Sequence, residues 1–197
     1  TAQGDGRERP MKALILINGF QTGGGERNLV DLIPHLVQAG VRLSICTLST
    51  RRDGHLAAAM AETGVERIDL NCAALYDIGA IRRLDRLLHA LRPDVLHSQD
   101  QHCHILTGLL RMRRERSAIV MTRHVIAEPD GTTRERLLAR MTLASMRRAA
   151  DRVLAVSEAT REYLVGPGRI SPDKVTVVNN GLGVEPFAKA DRAAART

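Results

Sequence analysis

The sequence predicts an α/β chain: a doubly wound parallel sheet of about seven strands with helices on both faces. Three observations carry this. Short apolar runs alternate with helical patterns along the 197 residues. Several of the runs are rich in Leu, Ile and Val on both pleat faces, as buried parallel strands are. Gly or Pro stands at many of the switches between the two patterns.

The first strand is Lys12 to Asn18 (KALILIN), broken by Gly19. A glycine-rich loop follows. Leu29, Leu32, Ile33, Leu36 and Val37 then recur at helical spacing and Gly40 caps the helix. Pro34 inside that pattern predicts a kink. Val41–Leu48 reads as a strand, Leu56–Glu62 as a helix closed by Gly64, and Val65–Leu70 as a strand. Ile81, Leu84, Leu87, Leu88 and Leu91 mark a helix that Pro93 stops. Asp94–His97 is the next strand, His102–Arg114 a helix and Ala118–Thr122 a strand. Thr133–Arg148 is helical, Arg152–Val156 extended, Glu158–Val165 helical and Lys174–Val178 extended. The reading places a disordered leader at 1–10 and one domain at 11–187. Residues 188–197 (AKADRAAART) are the start of a linker or helix.

Composition narrows the function. With 44% apolar and 26% charged residues the chain is globular. No apolar stretch approaches the roughly 18 residues of a membrane span. Three cysteines, Cys46, Cys72 and Cys103, favour a reducing compartment over a disulfide framework. The expected location is cytoplasmic. The net charge of +7 favours anionic partners. At 2% aromatics the chain lacks the stacking platforms of a single-strand nucleic-acid binder. No nucleic-acid partner is expected.

In doubly wound sheets ligands bind beyond the carboxyl ends of the strands, so those ends hold the candidate residues. After the first strand come Gln21 and the run Gly23, Gly24, Gly25, whose backbone N–H groups can approach an anion at a helix N-terminus. Neither a G-x-G-x-x-G fingerprint nor a Walker A loop can be written here. Strand two ends in Cys46-Thr47-Leu48-Ser49 without an acidic ribose ligand, which argues against a nicotinamide dehydrogenase. After strand four, His97 and Asp100 stand at the strand end as candidate ligand contacts. His102, Cys103 and His104 complete a segment with the composition of a metal cluster. Zinc ligands come from separated pairs, however, and residues this close in a turn point in different directions. No metal is expected, and Cys103 and His104 read as packing or solvated residues on the next helix. Arg123 and His124 follow strand five, where an imidazole can orient a sugar hydroxyl or move protons near neutral pH. Arg111, Arg113, Arg114, Arg136, Arg140 and Arg147 fall in a basic stretch that is either a solvated face or a patch for a membrane or other anionic surface.

These residues give the chain a family resemblance. GGGER with LVDLIPHLVQAGVRLSICTL, PDVLHSQD (Pro93–Asp100), MTRH ending at His124, ADRVLAVSEATREYL (Ala150–Leu164) and KVTVVNNGLGVEPF (Lys174–Phe187) occur in family order. The chain resembles the N-terminal half of a retaining glycosyltransferase of family four, the glycosyltransferase group 1 type with a GT-B fold. That resemblance implies two Rossmann-like domains across a cleft, the N-terminal one holding mainly the acceptor and the other the nucleotide-sugar donor. It implies no cofactor or metal, the nucleotide-sugar being a substrate, and a sugar, lipid-linked or small-molecule acceptor. It implies that Gly23, Gly24 and Gly25 lie against the donor phosphates and acceptor, that His124 serves catalysis, and that His97 and Asp100 line the acceptor side. The chain departs from the family at Asn179-Asn180-Gly181-Leu182-Gly183, where members commonly read Pro-Asn-Gly-Val-Asp. The family's paired glutamates, which hold the donor, have no counterpart. The resemblance therefore implies a missing C-terminal domain as partner and little transfer by this chain alone. Two other readings use the same glycine loop or architecture: a stand-alone module binding an anionic ligand without catalysis, and a sugar-nucleotide epimerase.

Overall fold

The computed structural model describes residues 9–21, 23–49, 53–72, 77–111, 116–125 and 132–181. Strands and helices alternate in the expected order: β1 (Lys12–Ile17), α1 (Gly24–Gln38), β2 (Arg42–Thr47), α2 (Leu56–Glu62), β3 (Glu66–Asp69), α3 (Ile78–Leu91) and β4 (Val95–Ser98). Then follow α4 (Gln101–Arg111), β5 (Ala118–Arg123), α5 (Thr133–Ala149), β6 (Arg152–Ala155), α6 (Glu158–Val165), a 3-10 turn at Pro172–Lys174 and β7 (Val175–Val177). All seven strands are parallel, in the order β3-β2-β1-β4-β5-β6-β7. The chain moves outward from β1 to β3, then returns to the far side of β1. This reversal leaves a crevice between the carboxyl ends of β1 and β4. Ile17 ends β1 beside Thr47 of β2, and Leu16 faces Ser98 at the end of β4.

Strand β1 shows why the sheet is covered on both faces. Leu14 and Leu16 join Leu84 and Leu88 of α3 and Cys103, Leu106 and Leu110 of α4. Ile15 and Ile17 point the other way, into a cluster with Leu29, Val30 and Ile33 of α1 and Leu56 and Met60 of α2. All four β1 residues are at most 3% exposed. Each contributes about 1.5–3 kcal/mol by leaving water. A third cluster, including Met121, Met146, Val153 and Leu164, holds β5 to β7 against α5 and α6.

The helix ends carry the local signals that the sequence promised, with two shifts. Gly40 adopts φ +82° after α1, its N–H bonding to Val37 O while Val41 N bonds to Leu36 O. This is a Schellman stop, which a side chain at Gly40 would strain. Thr132 and Glu135 form a reciprocal capping box at the start of α5. The first shift is at Pro34, which does not interrupt α1. The helix runs through to Gln38 although the Val30 carbonyl receives no N–H from position 34. The second is that α1 starts at Gly24, so Gly24 and Gly25 are its first turn rather than a preceding loop.

Helix α4 is buried along most of its length and packs on α5 at Gly108. A Cβ at that position would sit 2.8 Å from Ser145 Cβ and 3.4 Å from Ser145 Cα, so the helices approach through a missing side chain. Gly108→Val is expected to lower stability by about 1–3 kcal/mol through overpacking. Urea unfolding should show a smaller cost when Ser145→Gly is already present. An equal cost in both backgrounds would contradict this contact.

Candidate functional site

A cleft of about 520 Å³ opens over the β1/β4 crevice, walled by the first turn of α1, the turn after β4 and the end of β5. Asp100 shapes it from below. One carboxylate oxygen, Oδ1, accepts from the backbone N–H groups of His102 (3.0 Å) and Cys103 (3.1 Å), capping α4. The other, Oδ2, accepts from Asn18 N at 2.6 Å and from the Cys103 thiol at 3.1 Å. The end of β1 is thereby tied to the start of α4. The Cys103 thiol can donate because burial, and next the Asp100 charge, push its pKa well above the ordinary value.

The glycine turn forms the opposite wall. Gly23 is the N-cap, extended and without a side-chain bond, and the first helical bond runs from Arg27 N to Gly23 O at 3.0 Å. The N–H groups of Gly24, Gly25 and Glu26 precede it and have no intrahelical partner, leaving the positive end of the α1 dipole at the cleft. The imidazole of His124 lies against this turn. A Cβ at Gly25 would be 3.4 Å from its Cδ2 and Nε2. The absent side chain lets the ring and the helix start approach.

Behind His124 stands a polar cluster between β4 and β5. His124 Nε2 is 3.0 Å from Gln99 Oε1, and Gln99 Nε2 is 3.3 Å from His97 Nε2. His97 Nε2 is also 2.7 Å from Thr122 Oγ1. His104 is held by Ser98 Oγ at 2.7 Å and Thr122 O at 3.1 Å. Burial is the main cause that holds these imidazoles neutral. The pKa of His97 is lowered to about 4, with His124 adding to the effect, and that of His104 to about 3, with Arg123 adding. Burial lowers the pKa of His124 too, while the Asp100 charge pulls it back up and Arg123 down. Arg123 is buried, its Nε donating to Val125 O at 2.9 Å and its guanidinium 5.8 Å from the Tyr163 ring centroid. Burial lowers its pKa, yet a guanidinium stays charged.

Of the residues singled out in the sequence, Gly24, Gly25, Asp100, Arg123 and His124 come together around the cleft. Gln21 and Gly23 instead line a neighbouring depression with Asp53 and Gly54, which Glu26 shares with the cleft. His97 sits one layer back, bonded to Thr122 rather than presented at the wall. Asp100 is at the wall, but both its oxygens are occupied by α4, Asn18 and Cys103, so it positions rather than reaches. Arg111, its side chain 36% exposed, pairs with Asp151 at 2.9 Å, and Arg147 donates to Gly168 O at 3.0 Å. Arg136 and Arg140 are exposed on α5, and Arg113 and Arg114 lie outside the described residues. The leader at 1–8 and the segment 182–197 lie outside them as well. Among the described residues no group of three His, Cys, Asp or Glu side chains is arranged to hold a metal. None of the described helices is long and apolar enough to cross a membrane. The polar lining residues Glu26, Gln99, Gln101 and Thr122 were not singled out in the sequence. The only signal for Gln99 and Glu26 was adjacency, Gln99 to Asp100 and Glu26 to the glycine run.

The neutral histidines make stability depend on pH. The unfolded chain protonates them near pH 6.5, whereas the folded chain refuses protons until about pH 4 at His97 and about 3 at His104. Their contribution is complete above pH 6.5 and is lost as pH falls toward those values. Unfolding free energy should drop by about 2–4 kcal/mol between pH 7 and pH 5, on a slope of at most about 1.4 kcal/mol per pH unit for each group. His104→Gln should flatten this slope by about half in urea titrations. A stability that stays level from pH 7 to 5 would contradict the burial of neutral imidazoles.

Comparison with known proteins identifies the family. The Glycosyltransferase Family 4 profile matches residues 22–185. A D-inositol 3-phosphate glycosyltransferase from Thermobispora bispora is 26% identical over 195 residues, spanning 88% of this chain and 45% of that protein. Among solved structures, Anabaena HepE in complex with UDP-glucose superposes with a TM-score of 0.75 at 18% identity, over 93% of this chain and 47% of HepE. UDP-GlcNAc 2-epimerase from Neisseria meningitidis, bound to UDP-GlcNAc, gives 0.64 at 18% identity, over 86% of this chain and 47% of the epimerase. At those identities the two structures establish the Rossmann-like fold and nothing finer. The chain spans about half the length of the curated relative it matches. With the profile covering most of its length, the chain belongs to Glycosyltransferase Family 4.

Proposed function

We propose that this chain is the acceptor-binding half of a retaining glycosyltransferase that moves a sugar from a nucleotide-sugar donor to an acceptor hydroxyl. The observation that carries the reading is the meeting of His124 with the Gly25 turn over the β1/β4 crevice. Family membership supports the reaction class, and the UDP-sugars bound by HepE and the epimerase support the donor class. A helix N-terminus can stabilise charge that grows on a departing phosphate, because its dipole is already oriented. Arg123 adds a fixed positive charge to the same wall. His124, neutral at pH 7, serves as a hydrogen-bond partner of the sugar rather than as a cation. Transfer breaks the bond between the anomeric carbon and the phosphate oxygen and forms one to the acceptor oxygen. The acceptor's proton leaves with the phosphate.

In this reading the groups that hold the nucleotide come from a second domain, so the 197-residue chain alone transfers little or nothing. No metal or cofactor takes part. The protein works in the cytoplasm or at the cytoplasmic face of a membrane, with Arg136 and Arg140 as the exposed cations that would touch an anionic surface.

The test is turnover of nucleotide-sugars by the complete enzyme. His124→Ala should reduce turnover by about 10²–10⁴-fold, the range of a lost acid–base or orienting contact, with the unfolding transition preserved. The product should be a glycoside. Free sugar isomers would replace the transferase reading with an epimerase, and undiminished turnover would remove His124 from the mechanism.

A further inference from the structure

We propose that Gln99 is a positioning residue that selects the tautomer of His124, holding the ring proton on Nε2 so that the ring has no N–H left for a phosphate oxygen. The proposal rests on the glycosyl-transfer reading of the cleft. Gln99 follows β4, and its side chain is buried between two imidazoles. Its amide nitrogen faces His97 and its oxygen, Oε1, faces His124 Nε2 at 3.0 Å. An amide oxygen only accepts, so His124 Nε2 must carry the proton. A neutral imidazole has one N–H, which leaves Nδ1 as a lone pair. That atom is buried and has no partner. Either tautomer leaves Nδ1 without a partner, so the Gln99 acceptor at Nε2 decides between them.

The surroundings hold this arrangement. His97 fixes the Gln99 amide and is itself anchored at Thr122 Oγ1, 2.7 Å away. The Gly25 turn backs the His124 ring. The titratable groups around the ring are His97 and His104, held neutral by burial, together with Asp100, Arg123 and, across the cleft from α1, Glu26.

The tautomer sets what the histidine can recognise. A phosphate oxygen accepts hydrogen bonds and finds no donor on a ring whose one N–H is held by Gln99. Phosphate is thereby left to the N–H groups of the α1 turn and to Arg123.

Long-range ¹H–¹⁵N correlation spectra of the ¹⁵N-histidine-labelled 197-residue chain at pH 7.5 test this without any substrate. The His124 signals are assigned by their loss in His124→Asn. The wild-type ring should be at least about tenfold in favour of Nε2–H, and Gln99→Leu should give a tautomer mixture. Gln99→Glu keeps the acceptor oxygen, so Nε2–H should persist while the His124 protonation midpoint rises by about one pH unit or more beside the new carboxylate. A wild-type ring protonated at Nδ1 overturns the proposal, as does a Gln99→Leu ring with the wild-type tautomer. If Gln99→Leu does not fold, an unmoved midpoint in Gln99→Glu overturns it. Because the spectra need no turnover, failure of the transferase reading shows separately, in the His124→Ala assay.

Discussion

The site depends on one carboxylate. Asp100 gathers three backbone N–H groups and a thiol from two segments, the end of β1 and the start of α4, with Asn18 lying 82 residues before it. Hydrogen bonds to a charged acceptor are each worth about 1.5–3 kcal/mol, above ordinary neutral ones. A doubly wound sheet leaves a crevice where its winding reverses, but topology alone does not fix the crevice's shape. Here the carboxylate does so, holding Asn18 and the α4 cap in one frame. The glycine turn hangs from the Asn18 side. Gln99 precedes the carboxylate in sequence and carries the link to His124. A cleft built on the ends of rigid strands in this way keeps its walls in register.

Chemistry and stability share the same atoms. Burial of His97 and His104 makes them neutral connectors rather than titrating groups at pH 7. His104 ties Ser98 at the end of β4 to Thr122 at the end of β5, and His97 ties Gln99 to Thr122. The cost appears in acid, where these sites resist protonation and the fold weakens. The gain is a ring at His124 whose orientation is set from behind while its face meets the glycine turn. The core clusters on both faces of β1 supply the stability against which this buried polar cluster can be held.

Most of the fold was legible in the sequence, because its signals are local. The continuous apolar run in KALILIN gives a strand buried on both faces, and Gly40 gives the helix stop that its φ of +82° requires. The site was legible in part. Gly24, Gly25, Arg123 and His124 announced themselves as strand-end residues of suggestive chemistry. The roles of Asp100 and His97 were not legible, because both turn on partners far away in sequence: Asn18 for the first and Thr122 for the second. Gln99 has no composition signal at all. The arginines illustrate the same limit. Arg111 and Arg147 share the residue type of Arg136 and Arg140, but only three-dimensional packing shows that Asp151 and Gly168 are their partners.

Amide hydrogen exchange in the wild-type and Asp100→Ala chains tests the central claim most directly. The account predicts slow exchange at Asn18, His102 and Cys103 in the wild type. In Asp100→Ala all three should speed up together by about tenfold or more, the size of one lost charged hydrogen bond, while Ile15 and Leu16 in the body of β1 stay protected. Unchanged exchange at Asn18 in the variant would contradict the account, because it would mean that the end of β1, and with it the glycine turn, is held by something other than this carboxylate.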